Sequence, residues 1–572
     1  MSVEQYPAVL DSMREAPFNL DDAGIAWVES TLAGLDTKAK VGQLFCGITR
    51  RFTEAALDAT LSVCTPGGIM YRPCTTEEAV TFSNLLRQKI AIPMLVAANV
   101  EKGANGIVHE GTFLGSPLSV GATGDVAMAG KLGEVCGSEG AAVGANWAFA
   151  PIIDIDYNFR NPITNIRTFG SNPDLVRDMG VAYVKAVQAH GLAASIKHFP
   201  GDGCDERDQH LVTSINDKSV EEWDATYGAA YKASIDAGAM TVMVGHIMQP
   251  AYSRALRPDL ADADILPASL SPELMGDLLR GKLGFNGLVV TDATTMAGFT
   301  IPMPRSKAVP TSIAAGADVF LFTRSLEEDF GFMMDGVADG TISPERLDAA
   351  VARILGLKAA LKLNERPAPT LEAAQAIVGS AEHQAWSKEC ADEAITLVKE
   401  EKGVLPLTPD KYKKILFVPI EAGEGVAYGV RQGACEVIRG KLVAEGFDVD
   451  TFKAKNVFEG ETDKTSDYIG VYDAIVYVAN LSTKSNQTSV RIEWAQPMGA
   501  NCPHYLASIP TVFVSLENPY HLIDIPRAKT FINTYNSNDN VLDALVEKLV
   551  GRSEFKGTSP VDAFCGRWDT HL

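Results

Sequence analysis

The chain of 572 residues has no apolar run approaching the ~20 residues that a membrane-spanning helix requires, so no membrane partner is expected. It is short of positive charge: 50 Lys and Arg stand against 72 Asp and Glu, a formal net charge of −22. Such a surface gains nothing from counterion release on nucleic acid or from an anionic bilayer, which excludes both as expected partners. The nine cysteines are odd in number, scattered, and never spaced as CxxC. That argues against a disulfide framework or a structural zinc site and makes a reducing cytoplasm the expected setting. The opening MSVEQYPAVLDSMREAPF lacks the basic stretch and apolar core of a secretion signal. Internal repeats and low-complexity tracts are also missing. What is present is a chain that is 46% hydrophobic, long enough for two to four domains of about 100–200 residues and suited to neutral molecules.

Eight short apolar runs punctuate residues 40–325: VGQLFC (41–46), GGIMY (67–71), IPMLVAA (92–98), ANWAFAP (145–151), AASIKHF (193–199), TVMVGH (241–246), GLVVTD (287–292) and ADVFLF (317–322). Most are bounded by Gly or Pro and several read as strands buried on both faces. Helix-like segments separate them, including 76–90, 125–143 and 271–283. Strand–helix alternation repeated eight times predicts an α/β fold with an N-terminal TIM (β/α)8-type barrel over residues 1–365, closed by a helix at 343–363. Residues 366–385 read as a linker with a short helix. Candidate strands at 414–420, 447–452, 473–480, 511–516 and 529–535 then predict a smaller αβα sandwich with a mainly parallel sheet over 386–572.

In such a barrel, chemistry gathers at the carboxyl ends of the strands. Reactive residues fall there in register: Asn99 and Glu101 after the third strand, Asp154, Asp156 and Arg167 after the fourth, and KHFPGDGCDERDQH (197–210) after the fifth. His246 ends the sixth, Asp292 the seventh, and Thr323-Arg324 the eighth. A cap or a loop ion pair would explain any one of them, but hardly the whole set. In 197–210, Asp208 and His210 sit two apart. A carboxylate accepting the ring N–H of a histidine sets its tautomer and raises its basicity, giving a general acid/base near neutral pH. A solvated acidic loop is the plainer alternative. Asp292 tips a buried strand; it reads either as a helix cap or as a carboxylate nucleophile. A nucleophilic Asp292 facing a proton donor at His210 is the apparatus of retaining glycoside hydrolysis.

These residues, with NWAFAPIIDID, ITNIRTFGSNPDLV and GFNGLVVTDATTMAGF, make the chain resemble family-3 glycoside hydrolases, and within them the β-N-acetylglucosaminidase (β-N-acetylhexosaminidase) branch. That branch uses an Asp–His dyad on a mobile loop in place of a carboxylate acid/base. AITLVKEEKGVLPL (394–407) and SLENPYHLIDIPRAKTFINTYNSN (515–538) resemble the family's C-terminal sandwich. The resemblance implies Asp292 as nucleophile, His210 as acid/base and Asp208 as its partner. It also implies that Arg167, Lys197, His198 and His246 hold sugar hydroxyls or the acetamido group, with Asn99 and Glu101 at the far hydroxyls. No cofactor is implied; the expected partner is a small carbohydrate containing N-acetylglucosamine, with phosphate as an alternative acceptor. Two positions depart from the family's pattern: Asn99 stands where Asp is usual, and Asp202 where this branch often has His.

Other features admit different readings. Gly423-Glu-Gly425 imitates a dinucleotide fingerprint, but the third glycine falls at 429 and nothing else supports it. The cluster Asp202, Cys204, Asp205, Glu206, Asp208 and His210 lacks any HxH or HExxH run, so no metal is expected, and thiol catalysis by Cys204 is not expected either. Two rivals remain. A histidine acid/base carries no negative charge to repel an anion, so phosphorolysis to a sugar 1-phosphate is one. A catalytically silent sugar-binding protein is the other.

Overall fold

The computed structural model describes residues 6–422, 432–483, 485–488 and 490–572; the glycines at 423, 425 and 429 lie outside them. Eight parallel strands form one sheet: β1 (Phe45–Thr49), β2 (Gly68–Tyr71), β3 (Leu95–Ala98), β4 (Trp147–Ala148), β5 (Ala193–Phe199), β6 (Thr241–Val244), β7 (Leu288–Thr291) and β8 (Phe320–Leu321). They pair in the order β8-β1-β2-β3-β4-β5-β6-β7. A bridge between Val290 and Val319 joins the two ends of the sheet and closes the barrel. Strands β2, β3, β5, β6 and β7 are buried along their whole length, which is why each reads as an unbroken apolar run rather than an alternating one.

The first strand starts later than 41–46. Asp36 caps a helix over Thr37–Gln43 by accepting the Ala39 N–H, so the run's leading residues are helical and only Phe45 and Cys46 enter β1. The helix closing the barrel region spans Pro344–Ala360, with Ser343 as its cap and Pro at its first turn.

A second sheet holds six strands: β9 (Thr396–Lys399), β10 (Lys414–Glu421), β11 (Asp448–Thr451), β12 (Ala474–Asn480), β13 (Thr511–Ser515) and β14 (Thr530–Asn533). Their order is β9-β14-β13-β12-β10-β11. All pairs are parallel except β9 with β14, which is antiparallel and bulged between Leu397 and Lys399. Sequence reading gave five of these strands; β9 was missed. One face of the sheet packs on helices Ala434–Ala444 and Asp539–Leu549 through Ile438, Leu442, Leu542 and Leu545. The other is covered by Tyr468, Ile492, Leu522 and Ile525.

The compact units do not follow chain order. One comprises 1–114, 129–155 and 173–384; the other comprises 115–128, 156–172 and 385–572. This corrects the contiguous division expected from sequence. The segments 115–128 and 156–172 contribute Leu118, Ala122 and Ile166 to a core cluster with Tyr520, Tyr535 and Val561. Most of 366–385 belongs to the first unit, where it carries a helix over Leu371–Ile377 and the buried pair His383–Glu139 at 2.6 Å.

Candidate active site

The site is built on the carboxyl ends of β3 to β7. At the end of β5 the ladder slips: Ile196 pairs with Val242 but Phe199 with Val244, so Lys197 and His198 together face one residue of β6. A regular strand sends neighbouring side chains to opposite faces, and a bulge re-aims them. Lys197 Nζ donates to Glu101 Oε1 at 2.8 Å, with both side chains largely buried. His198 turns to Asp154, which the chain following β4 lays beside β5 through the Ile153 N–H to Lys197 carbonyl bond. The Asp154 side chain is fully buried. Its Oδ2 lies 2.7 Å from His198 Nδ1, and its Oδ1 accepts the main-chain N–H of His198 at 3.0 Å and of Asp202 at 2.8 Å. An ionised carboxylate only accepts, so Nδ1 carries the proton and Nε2 is left for the site. That Nε2 lies 3.9 Å from Asp292 Oδ2.

Asp292 follows β7 and is mostly buried. Its Oδ1 accepts the Ala293 N–H at 2.7 Å. Burial pushes its carboxyl up, but His198, His246, His210 and the Ala293 N–H together outweigh burial and hold it below the usual range. Asp292 therefore stays ionised at neutral pH.

The structure brings Asp208 and His210 together. Asp208 Oδ1 lies 2.7 Å from His210 Nδ1 and accepts the His210 main-chain N–H at 2.8 Å. The carboxylate is fully buried while the ring is 25% exposed, so Nε2 of His210 is presented outward. The glycines of this loop are needed: Gly201 has φ 118°, and a Cβ there would stand 2.2 Å from the Tyr227 ring. Tyr227 and Trp223 hold the loop from beneath by donating to the carbonyls of Asp202 and Pro200.

His246 does not take the place expected of it. Its ring is fully buried, Nε2 donates to the Ala293 carbonyl at 3.1 Å, and Nδ1 accepts from Ser269 Oγ at 2.8 Å. Burial lowers its pKa to about 4, so the ring is neutral and spent on protein partners. Both ring nitrogens are engaged by protein groups, one of them in the turn after Asp292. Asn99 is exposed at the end of β3. Arg167 ends the short turn Asn165–Arg167 within 156–172, in the second unit. Burial pushes the Cys204 thiol up to about 12, a poor nucleophile. Among the described residues no three His, Cys, Asp or Glu side chains are arranged to hold a metal ion. No helix among them is long and apolar enough to cross a membrane.

Residues 37–357 match the family described as "Glycosyl hydrolase family 3 N terminal domain". The chain belongs to glycoside hydrolase family 3. A "Beta-N-acetylglucosaminidase/beta-glucosidase" of Cellulomonas fimi is 53% identical over 558 residues, 97% of this chain and 99% of that one. The solved structure of "Beta-glucoside phosphorylase BglX" superposes with a TM-score of 0.91 at 44% identity, covering 98% of this chain and 99% of that one. A family-3 β-N-acetylglucosaminidase from Paenibacillus sp. str. FPU-7 superposes at 0.77 with 26% identity, covering 93% and 100%.

In this family-3 hydrolase, sequence reading marked Asp154 only as a residue at a strand end and passed over Gln209 and Ser269. Asp154 could have been singled out as a carboxylate close to the end of an apolar strand, where burial demands partners. For Gln209 and Ser269 no signal existed, because amide and hydroxyl side chains of this kind are common on any loop.

Proposed function

We propose that this enzyme removes terminal β-linked N-acetylglucosamine with retention of configuration. Asp292 attacks the anomeric carbon as His210 protonates the leaving oxygen; His210 then withdraws a proton from the acceptor that cleaves the glycosyl ester. The observation that carries this reading is the His210–Asp208 pair together with an ionised Asp292 whose carboxyl His210 helps to hold down: the carboxylate supplies a nucleophile, and the outward Nε2 a proton donor of separate origin. Lys197, His198, Glu101 and Asn99 are the proposed sugar contacts, their charged and amide groups suited to a hydroxyl-rich neutral ligand. Incubation with a 2-fluoro glycosyl fluoride, followed by peptide mapping, should place the label on Asp292; a label elsewhere, or none despite turnover, rejects the mechanism.

A second reading changes only the acceptor. An imidazole acid/base presents no negative charge to an incoming anion, and the 44% identical neighbour is named a β-glucoside phosphorylase. Phosphate would then replace water in the second step. Products formed in phosphate and in a non-nucleophilic buffer distinguish the two: sugar 1-phosphate in the first supports phosphorolysis, and identical free-sugar yields in both end it.

A further inference from the structure

Gln209 stands between the two members of the dyad and is completely buried. Its Oε1 accepts the main-chain N–H of His246 at 2.8 Å, and its Nε2 donates to Asp202 Oδ2 at 3.3 Å. Its carbonyl accepts the Gly298 N–H at 3.2 Å, and the next carbonyl, that of His210, accepts the Ala297 N–H at 3.0 Å. The approach is close: a Cβ on Gly298 would lie 2.6 Å from the Gln209 oxygen.

These bonds run to both walls of the site. On one side His246 donates through Nε2 to Ala293, the residue after Asp292. On the other, the Asp202 main-chain N–H rests on Asp154, the carboxylate that clamps His198. We propose that Gln209 is a positioning residue that sets the His210 ring relative to Asp292, coupling the dyad to the nucleophile's turn. The proposal rests on His210 as acid/base and Asp292 as nucleophile. The need is physical: the His210 ring is partly exposed on a loop, so where it stands relative to Asp292 is set by how the loop backbone is tied down. A misplacement of about 1 Å costs on the order of a hundredfold in rate.

Gln209→Met keeps length and volume while removing both side-chain bonds. With an alkyl glycoside, whose leaving group needs a proton, kcat/KM should fall by roughly ten- to a hundredfold. With a dinitrophenyl glycoside, which leaves without one, the fall should stay under about threefold. Gln209→Glu keeps the acceptor for the His246 N–H but sets a second carboxylate against Asp202, and the same selective loss is expected. On a His210→Ala background neither change should alter the leaving-group dependence further. Equal losses on both substrates for His210→Ala would sink the acid/base reading itself. A selective loss for His210→Ala with a uniform loss, or none, in both Gln209 variants would overturn the positioning role alone. Failure of both variants to fold would also overturn it, since Gln209 would then hold the fold and not the dyad.

Discussion

Replacing Asp208 by Asn tests how much the dyad's charge contributes, as distinct from its geometry. The side chain is fully buried and Asn has the same shape, so the loop should keep its path. The amide cannot freely turn over: the His210 main-chain N–H, 2.8 Å from Oδ1, requires an oxygen in that place. His210 Nδ1 therefore still donates to an oxygen, and the tautomer is preserved. What is lost is the negative charge facing the ring when it carries a second proton. A hydrogen bond to an ionised group is worth about 1.5–3 kcal/mol and a neutral one about 0.5–1.5, so about 1–1.5 kcal/mol of support for the charged imidazole disappears. That corresponds to roughly a tenfold fall in kcat/KM on an alkyl glycoside. Asp208→Ala removes the geometric restraint as well and should cost about another tenfold or more. The assay is kcat/KM across leaving groups from alkyl to dinitrophenyl, with thermal unfolding as the control for folding. A parental Asp208→Asn on the alkyl glycoside, or a loss equal on every leaving group, would refute the reasoning.

Asp292→Ala should reduce turnover to background and abolish labelling by the fluorosugar; retained labelling elsewhere would identify another nucleophile. Asp154→Asn should raise KM and lower kcat together, because it loosens the His198 ring, whose Nε2 lies 3.9 Å from Asp292; unchanged steady-state constants would show that the clamp is dispensable. Lys358 is fully buried with Nζ donating to Gln43 Oε1 at 2.7 Å, and burial lowers its pKa from 10.5 to about 7. The unfolded chain takes up this proton below about 10.5 and the folded chain does not until about 7, so stability falls as the pH drops through that window and then levels. The cost near neutral pH is on the order of 3–5 kcal/mol. Lys358→Met should thus raise the unfolding midpoint at pH 7 and flatten its rise toward pH 10; a lower midpoint with the slope intact would count against it.

Several elements were legible because their cause is local. The runs 193–199 and 287–292 became β5 and β7 with its Asp292 tip because strands buried on both faces must be apolar throughout. The segment at 396–399 escaped notice because it is a half-buried edge strand of only four residues, whose partner is more than a hundred residues away. His246 misled for a different reason. A histidine ending a strand reads the same whether its ring faces the site or the core, and the groups that decide it, Ser269 and Ala293, lie 23 and 47 residues onward.

What the sequence determined by itself is what neighbouring residues can settle between themselves. A carboxylate two positions before a histidine can reach both its main-chain N–H and its ring, so the Asp208–His210 pair is written into three consecutive residues. Only the tertiary structure decided which of the other charged groups stand together. Asp154, His198 and Asp292 come from three separate strand ends, and closing the sheet into a ring sets them side by side. Contact across strands depends on register and closure, which are properties of the whole barrel and of no single stretch of chain.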